Sequence, residues 1–482
     1  MFRFCALFLC SVLVTLLSSA VHAQSREIRL PALGDASSGI VSPQQEYDLG
    51  RAWLRMFRSR VPTYDDPVMQ HYLEELLHEL SVHSELESPE LELVLVPNPT
   101  MNAFAVPGGV VGVHTGLFTH ATTEDQLASV LAHELAHISQ RHFARGIDNQ
   151  RRSTIATMGG LLAGIILAAT AGGDAGMAAI TATQAAAMQS SLRYSRQHEQ
   201  EADRIGMDTL YRAGRNPEAV AEMFERMMHS MRYTGHRPPE FLLTHPLTES
   251  RIADARNRIN RYPDRAYDES LEYHLMKARA RLSLASNPGA AVQYFRGAIA
   301  GESLSEEAMQ YGLVIALSAA NRLDEAEQEL ARLQAQHTHV LYRMAAVELL
   351  LKQRRFDAAI AAMNRLLEQY PNYYPLKALL AEVYWQSNRY SEAEAIYLAL
   401  TRERSTDPFL WYQLAEVRGL AGNIPGVHLA RAEYYVLNGI FGRAREHYGY
   451  AMRLLQDDFR QTAIIEQKLR DLSDLERTME QL

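Results

Sequence analysis

The sequence of 482 residues contains only two cysteines, Cys5 and Cys10, and both lie close to its N-terminus. A disulfide framework and a cysteine-ligated metal site are therefore excluded for the rest of the chain. The chain also lacks a basic excess, because its formal net charge is -9. Since a nucleic-acid-binding protein needs cationic side chains to neutralise phosphates, this charge argues against a nucleic-acid partner.

The apolar run near the N-terminus is short. It extends from Phe4 to Leu17, follows a single cation at Arg3, and precedes small residues that end at Ala23. A membrane-spanning helix needs about 20 apolar residues, so the pattern instead predicts a secretory signal in residues 1–23, cleaved after about Ala23. A retained membrane anchor is the alternative. We expect an exported, cysteine-free and mildly acidic globular protein.

The second half of the chain repeats itself. An aromatic residue or leucine stands three residues before Ala326, Ala359 and Ala393, and these alanines are 33 and 34 residues apart. This period resembles the tetratricopeptide repeat, in which paired helices cross at small residues and stack into a solenoid that binds extended protein segments. We therefore predict an α-solenoid of such repeats over residues 267–482, with a plain helical bundle as the alternative. A weaker copy begins at Ile424, and a further copy at Phe441 follows it after only 17 residues, which indicates that one helix is shared or lost.

The first half mixes helical and strand patterns. Helices are expected around residues 44–58 and 67–82, followed by a strand over residues 91–96 and a strand, glycine turn and strand over residues 102–113. Thr123, with Gln126 three residues later, predicts a capping box that opens the next helix. The fold class is thus mainly α with a small β-sheet, in a domain that spans residues 24–262.

The helix after Thr123 carries the sequence H-E-x-x-H at His133, Glu134 and His137. Positions four apart share a helix face, so both imidazoles can bind one cation while the glutamate stands beside it. Two nitrogen ligands suit Zn²⁺, which then needs a third protein ligand and an open position for water. Glu134 would take the proton from that water as it attacks a peptide carbonyl. The motif alone carries a risk of a chance match, so a second signal is needed.

The second signal is the pair Glu199 and Asp203, four apart on another predicted helix. Glu199 can supply the third ligand, while Asp203 can reach the outer nitrogen of a ligand histidine and fix its tautomer. Glu201 points about 200° away from Glu199 and is not expected to be a ligand. His142, about 140° off the face of His137, and His198, about 100° from Glu199, are also predicted to take no part.

These motifs resemble a known family. H-E-L-A-H, followed far downstream by S-R-x-x-E-x-E-A-D-x-x-G, is similar to the gluzincin metallopeptidases related to HtpX and the CaaX-prenyl proteases, and N-A-F-A-x-P-G-G-x-V and L-T-H-P strengthen the match. The resemblance implies a zincin-type endopeptidase with one Zn²⁺ per chain. It further implies His133, His137 and Glu199 as metal ligands, Glu134 as catalytic base, and Asp203 as support for a ligand.

With an export signal in front and repeats behind, the whole chain is similar to periplasmic members of this family. That resemblance implies unfolded or misassembled outer-membrane proteins as substrates, the β-barrel assembly machinery as partner, and work as both protease and chaperone. It also suggests that an extended substrate pairs with the strand over residues 102–106. His245 is expected near the metal, where it either stabilises the oxyanion or occupies the open metal position. A surface histidine is the alternative, and Arg251 either contacts the site or pairs within its own helix.

An apolar insert at about residues 154–190 separates the two ligand motifs. It predicts a helical hairpin that covers the cleft or touches a membrane surface or a partner, with a membrane span as the alternative. A second hypothesis for the whole chain is a non-proteolytic scaffold or chaperone whose zinc site is blocked or structural. Glu134 favours the enzyme, because a structural zinc site has no use for a base beside an open position.

Overall fold

The computed structural model describes residues 41–88, 90–149, 196–233, 239–301 and 305–481. The predicted signal segment and the predicted apolar insert lie outside these residues, so the expectations about them stay predictions. The described helices include none with the length and apolarity that a membrane crossing requires. The elements of the first half, called here the peptidase segment after the activity that its motifs predict, are α1 (Pro43–Arg58), α2 (Pro67–His83), β1 (Glu92–Val96), β2 (Ala103–Val106), β3 (Val110–His114), α3 (Thr115–His120), α4 (Glu124–Ser139), α5 (His142–Asn149), α6 (Arg196–Arg212), α7 (Ala219–Tyr233), α8 (Phe241–Thr244) and α9 (Glu249–Ile259).

Polar caps begin the helices of the peptidase segment. The Asp66 side chain accepts hydrogen bonds from the backbone N–H groups of Val68 and Met69 at the start of α2. At the start of α4, Thr123 accepts from the N–H of Gln126, as predicted. The reciprocal half of the predicted capping box is different, because the Gln126 side chain accepts from Thr122 instead of Thr123. The helix nevertheless begins where the sequence places it.

The described strands form a sheet of order β1-β3-β2, in which β3 pairs parallel with β1 and antiparallel with β2. Gly112 in β3 lies opposite Phe104 in β2, and a Cβ added at Gly112 would lie 2.0 Å from the Phe104 ring. The glycine is therefore required for this ring to lie across the sheet. Phe104 packs against Trp53 and Phe57 of α1, while α4 packs against β2. Strand β2 lies at an edge of the sheet, next to the helix that carries H-E-x-x-H.

Paired helices follow from residue 271 to residue 481, called here the repeat segment. They are α10 (Leu271–Ser283), α11 (Pro288–Ala300), α12 (Glu306–Ala319), α13 (Leu323–Gln336), α14 (Val340–Lys352), α15 (Phe356–Gln369), α16 (Tyr374–Gln386), α17 (Tyr390–Glu403), α18 (Pro408–Leu420), α19 (Ile424–Leu437), α20 (Phe441–Leu454) and α21 (Phe459–Gln481). The repeat alanines Ala326, Ala359 and Ala393 are each 0% exposed, as a helix crossing requires. The fold class predicted from the sequence is confirmed.

The same turn joins the two helices of successive repeats. The residue two positions before the second helix adopts a left-handed backbone, with φ of 57° at Asn321, 60° at Arg354 and 62° at Asn388. In each case the next N–H donates to the carbonyl five residues earlier, as in the 2.9 Å bond from Arg322 to Leu317. This is the hydrogen-bond pattern that closes a helix C-terminus. The next two such turns place Gly422 and Gly439 at this position only 17 residues apart, which matches the shortened spacing in the sequence.

Ion pairs connect the two segments, and the described residues from Val41 onward form one compact unit. Arg279 of α10 lies 2.9 Å from the Asp66 carboxylate at the start of α2. Arg404, after α17, donates to both carboxylate oxygens of Glu74 in α2. The position of a domain boundary near residue 262 stays a prediction, because the helices on its two sides pack together.

Candidate metal centre

Helices α4 and α6 approach closely enough for their polar side chains to meet. The approach depends on Gly206 of α6, because a Cβ added there would lie 3.3 Å from the backbone of both Ala132 and His133. Ala132 and Ala202 are also fully buried at this crossing. Small residues on both helices therefore bring Glu199 and Asp203 to the face of α4 that carries the two histidines.

Four buried side chains converge on one point. The ligand atoms of His133, His137, Glu199 and His245 all lie within 4.8 Å of one another. The Nε2 atoms of His133 and His137 are 3.0 Å apart, and Glu199 Oε1 lies 3.4 Å from Nε2 of His137. Two ligands bound tetrahedrally to one Zn²⁺ are expected about 3.3 Å apart, given the usual bond lengths. The donor set and its spacing therefore fit a single metal ion.

Asp203 supports His133 from behind. Its Oδ1 lies 3.0 Å from Nδ1 of His133, which is the contact expected from the sequence. Burial opposes the charged form of His133, yet its hydrogen bonds with Asp203 and Glu199 raise its pKa to about 9. The two carboxylates therefore favour a positive charge at this imidazole, whether it is carried by a proton or by a metal ion on Nε2.

Arg251 of α9 joins the two carboxylates. It donates to both oxygens of Asp203 at 2.7 Å and lies 2.7 Å from Oε2 of Glu199, while being only 1% exposed. Burial alone would raise the pKa of the Asp203 carboxyl, but the contact with Arg251 lowers that pKa below its usual value. Of the two alternatives that the sequence left open for Arg251, the structure shows contact with the site.

Glu134 lies beside the cluster, with Nε2 of His245 3.4 Å from its Oε1. Among the described residues, no hydrogen bond reaches its Oε1, although the residue is only 1% exposed. Burial raises the pKa of its carboxyl, against opposing contacts with His245, His133 and the backbone of Ala105 in β2. A raised carboxyl pKa suits a general base that must both take up and release a proton near neutral pH.

His245, just after α8, completes the cluster. Its Nδ1 lies 3.0 Å from Oε1 of Glu199 and 3.3 Å from Nε2 of His133, and its Nε2 lies 3.4 Å from Oε1 of Glu134. The residue is 2% exposed, so the alternative of a surface histidine was wrong. The choice between a blocking and an assisting role stays open.

The comparisons with known proteins agree with this geometry. The model of Peptidase family M48 matches residues 67–259, and a tetratricopeptide-repeat model matches residues 350–416. The β-barrel assembly-enhancing protease of Escherichia coli is 36% identical over 418 residues, which cover 86% of this chain and 85% of that protein. This chain belongs to the β-barrel assembly-enhancing protease family. The counterpart from Yersinia pestis is 32% identical, over 85% of this chain and 84% of its own.

More distant relatives match a smaller part of the chain. The mitochondrial metalloendopeptidase OMA1 of Schizosaccharomyces pombe is 31% identical over 192 residues, which cover 40% of this chain and 53% of that protein. As a member of the β-barrel assembly-enhancing protease family, the chain is a metallopeptidase, and the M48 match includes every residue of the cluster. Membership implies a metal ion, and the spacing of the donors agrees with it.

His142 is the site residue that sequence reasoning missed. Its Nδ1 lies 2.9 Å from Nδ1 of His137, and its Nε2 lies 3.1 Å from Oε2 of Glu201. Its nitrogens are not among the converging ligand atoms, as predicted, but its contact with His137 was missed, because the rotation of about 140° assumed an unbroken helix. Helix α4 ends at Ser139, and Arg141 adopts a φ of 49°, which turns the chain back toward His137. No glycine marks this helix end, so the sequence offered no clear signal.

His198 and Glu201 lie on the far side of His142. His198 does not join the cluster of ligand atoms, and its ring stacks on that of His142 with centroids 4.4 Å apart. Glu201 contacts His142 and Arg145, in line with the prediction that it points away from Glu199.

Burial lowers the pKa of His137 well below its usual value, which favours the neutral imidazole that a metal ion requires.

Proposed function

We propose that this protein is a zinc-dependent endopeptidase of the periplasm that cleaves unfolded or misassembled outer-membrane β-barrel proteins. One observation carries the proposal, which is the buried carboxylate of Glu134, whose Oε1 accepts no hydrogen bond from the described residues, beside the converging donors of His133, His137 and Glu199. The relatives named β-barrel assembly-enhancing proteases support the substrate class and the compartment. The repeat segment supports recruitment of substrate or of the β-barrel assembly machinery, because stacked helix pairs bind extended protein segments.

His133, His137 and Glu199 would hold the zinc ion. When bound, Zn²⁺ polarises the substrate carbonyl and acidifies the attacking water. Glu134 accepts a proton from that water as the water oxygen bonds to the carbonyl carbon. Glu134 then delivers the proton to the amide nitrogen as the carbon–nitrogen bond breaks, which leaves a free amine and restores the carboxylate. Asp203 accepts the Nδ1–H of His133 throughout and so keeps this ligand in one tautomer.

The edge strand β2 would position the substrate. An extended peptide that pairs with β2 places a backbone carbonyl near Glu134 whatever its side chains. The backbone of Ala105, in the middle of β2, already contacts Glu134. Pairing through the backbone suits an enzyme that accepts many unfolded sequences.

His245 favours a second candidate function, a chaperone or scaffold whose metal site is blocked. Its Nδ1 lies as close to the other donors as a fourth ligand would. We propose that His245 holds the site closed in this conformation and withdraws when a substrate enters. A permanent block would leave the repeats alone to carry the function.

The decisive experiment compares the mature chain with its Glu134→Gln variant. Zinc content is measured together with cleavage of an unfolded β-barrel protein. We expect about one zinc per chain in both, and a loss of cleavage of about a hundredfold to ten-thousandfold in the variant. Full cleavage by Glu134→Gln would contradict the role of the base.

The His245→Ala variant separates the two candidate functions. Faster cleavage by this variant than by the parent chain identifies an enzyme that His245 restrains. The scaffold is the better description if neither the parent chain nor His245→Ala cleaves although both hold zinc, and if Glu134→Gln still prevents aggregation of the unfolded substrate. Fractionation of cells and crosslinking from the repeat segment test the compartment and the partner.

A further inference from the structure

The two histidines of the H-E-x-x-H helix are supported by different groups. Behind His133 stands a carboxylate, that of Asp203, at 3.0 Å. Behind His137 stands another imidazole, that of His142, at 2.9 Å. A carboxylate follows only one step later, because Oε2 of Glu201 lies 3.1 Å from the far nitrogen of His142. A carboxylate therefore supports both ligand histidines, directly for His133 and through the ring of His142 for His137.

Metal binding by His137 determines which ring nitrogens of His137 and His142 carry protons. A histidine that binds a cation through Nε2 carries its proton on Nδ1, which can then only donate. The short Nδ1 to Nδ1 contact holds one proton, so His142 must accept there from His137. The remaining proton of neutral His142 is then on Nε2 and faces Glu201, which can only accept. Each hydrogen bond thus fixes the direction of the next.

Neighbouring groups hold His142 and Glu201 in place. His142 is 0% exposed, and its ring lies nearly parallel to that of His198, with 9° between the planes. Arg145 lies 3.0 Å from Oε2 of Glu201 and holds that carboxylate toward His142. The left-handed backbone of Arg141 turns the polypeptide so that His142 lies beside His137. The ring has little freedom to turn, as a support for a metal ligand requires.

We propose that His142 and Glu201 are positioning residues, which orient His137 and increase its strength as a ligand through a His137–His142–Glu201 relay. The proposal rests on metal binding by His133, His137 and Glu199, as in the proposed function. A partner behind a ligand histidine typically changes metal affinity by about ten- to a hundredfold. The relay would give His137 this support without a second buried carboxylate next to Asp203.

Metal affinity tests the relay apart from catalysis. The test uses the full chain with Glu134→Gln as background, so that proteolysis plays no part, and measures the zinc dissociation constant by competition with a chelator. His142→Phe keeps a flat ring that can stack on His198 but removes both nitrogens. We expect zinc binding to weaken by about ten- to a hundredfold. Glu201→Gln keeps an acceptor without the charge and should weaken binding less.

A matched control is Asp254→Asn, which removes the charge that pairs with Arg204 on the outer side of α6. It should leave zinc affinity unchanged. Unchanged affinity in His142→Phe would overturn the relay while leaving the proposed peptidase intact. Failure of the background protein itself to bind zinc would overturn both.

The tautomer of His142 provides a test that needs no substitution in the relay. Nitrogen-15 spectra of the histidines in the zinc-loaded background protein report which ring nitrogens carry protons. We expect His142 to be protonated on Nε2 and unprotonated on Nδ1, with His137 protonated on Nδ1. A proton on Nδ1 of His142 would overturn the relay, whatever the stability of the variants.

Discussion

The peptidase segment and the repeat segment bury different kinds of side chain. At the metal centre, His133, Glu134, Glu199, Asp203 and Arg251 are each 5% exposed or less. In the described repeat helices, no Asp, Glu, Lys or Arg is buried to that degree, and alanine, leucine and tyrosine fill the crossings instead. Buried charges cost free energy unless they are paired, whereas apolar burial stabilises directly.

This difference separates function from stability along the chain. The peptidase segment keeps charged groups out of water, where their mutual attraction is strong and their geometry is set by direct contacts. The repeat segment is built from regular crossings that can vary on the surface without loss of the core. We therefore expect substitutions in the first segment to act through charge and those in the second to act through volume and backbone conformation.

The largest effect on stability is expected at Arg251. Replacement by Met keeps much of its length but leaves the carboxylates of Asp203 and Glu199 buried without their cation. Breaking a buried ion pair in this way typically costs about 3–5 kcal/mol. Urea unfolding of the metal-free protein should show a loss of this size in Arg251→Met.

A neighbouring exposed pair supplies the control. Arg204 of α6 lies 2.8 Å from Asp254, with side chains 47% and 34% exposed. Because exposed ion pairs contribute little, Arg204→Met should cost no more than about 1 kcal/mol. Equal losses in the two variants would contradict the view that burial makes the difference.

A smaller effect is expected from added volume in the repeat segment. Ala393 of α17 is 0% exposed and belongs to the cluster that includes Tyr397 and Leu414. Ala393→Leu should destabilise the protein by about 1–3 kcal/mol, because a packed crossing has no room for three more carbons. Thermal unfolding measures this loss, and zinc affinity should stay unchanged.

Ala395, two residues further along α17, is exposed and provides the matched control. Ala395→Leu adds the same atoms on the solvent side and should be nearly neutral. If Ala393→Leu were also neutral, the repeat crossing would be looser than the structure shows. A large drop in zinc affinity in Ala393→Leu would show that the two segments are coupled.

How much of this could be predicted from the sequence differs between the segments. The repeats follow from local periodicity, since the same small residue returns at the same place in each helix pair. At the metal centre, the helical rule placed His133 and His137 on one face, and a second motif pointed to Glu199 and Asp203. Both rest on spacing within a single helix, which the sequence contains directly.

The remaining site residues depend on chain reversals that spacing does not contain. His142 contacts His137 only because α4 ends three residues earlier and the backbone turns at Arg141. Arg251 and His245 reach Glu199 across about fifty residues, and α9, which carries Arg251, packs on α6. The sequence left both as open alternatives, because no rule for a single helix decides such a contact.

The smallest effect on stability is expected at the left-handed turns, one of which is compared in each segment. Arg354, with a φ of 60°, is exposed in the turn before α15, while the matching positions in the last two such turns are the glycines Gly422 and Gly439. Because a side chain disfavours this backbone by about 1 kcal/mol, Arg354→Gly should raise stability by up to that amount. Arg141 has the same backbone but also donates to Glu46 at 2.8 Å and to the carbonyl of Val41 at 2.6 Å. Arg141→Gly should therefore lower stability in the same thermal-unfolding measurement, and a gain there would show that backbone strain outweighs these contacts.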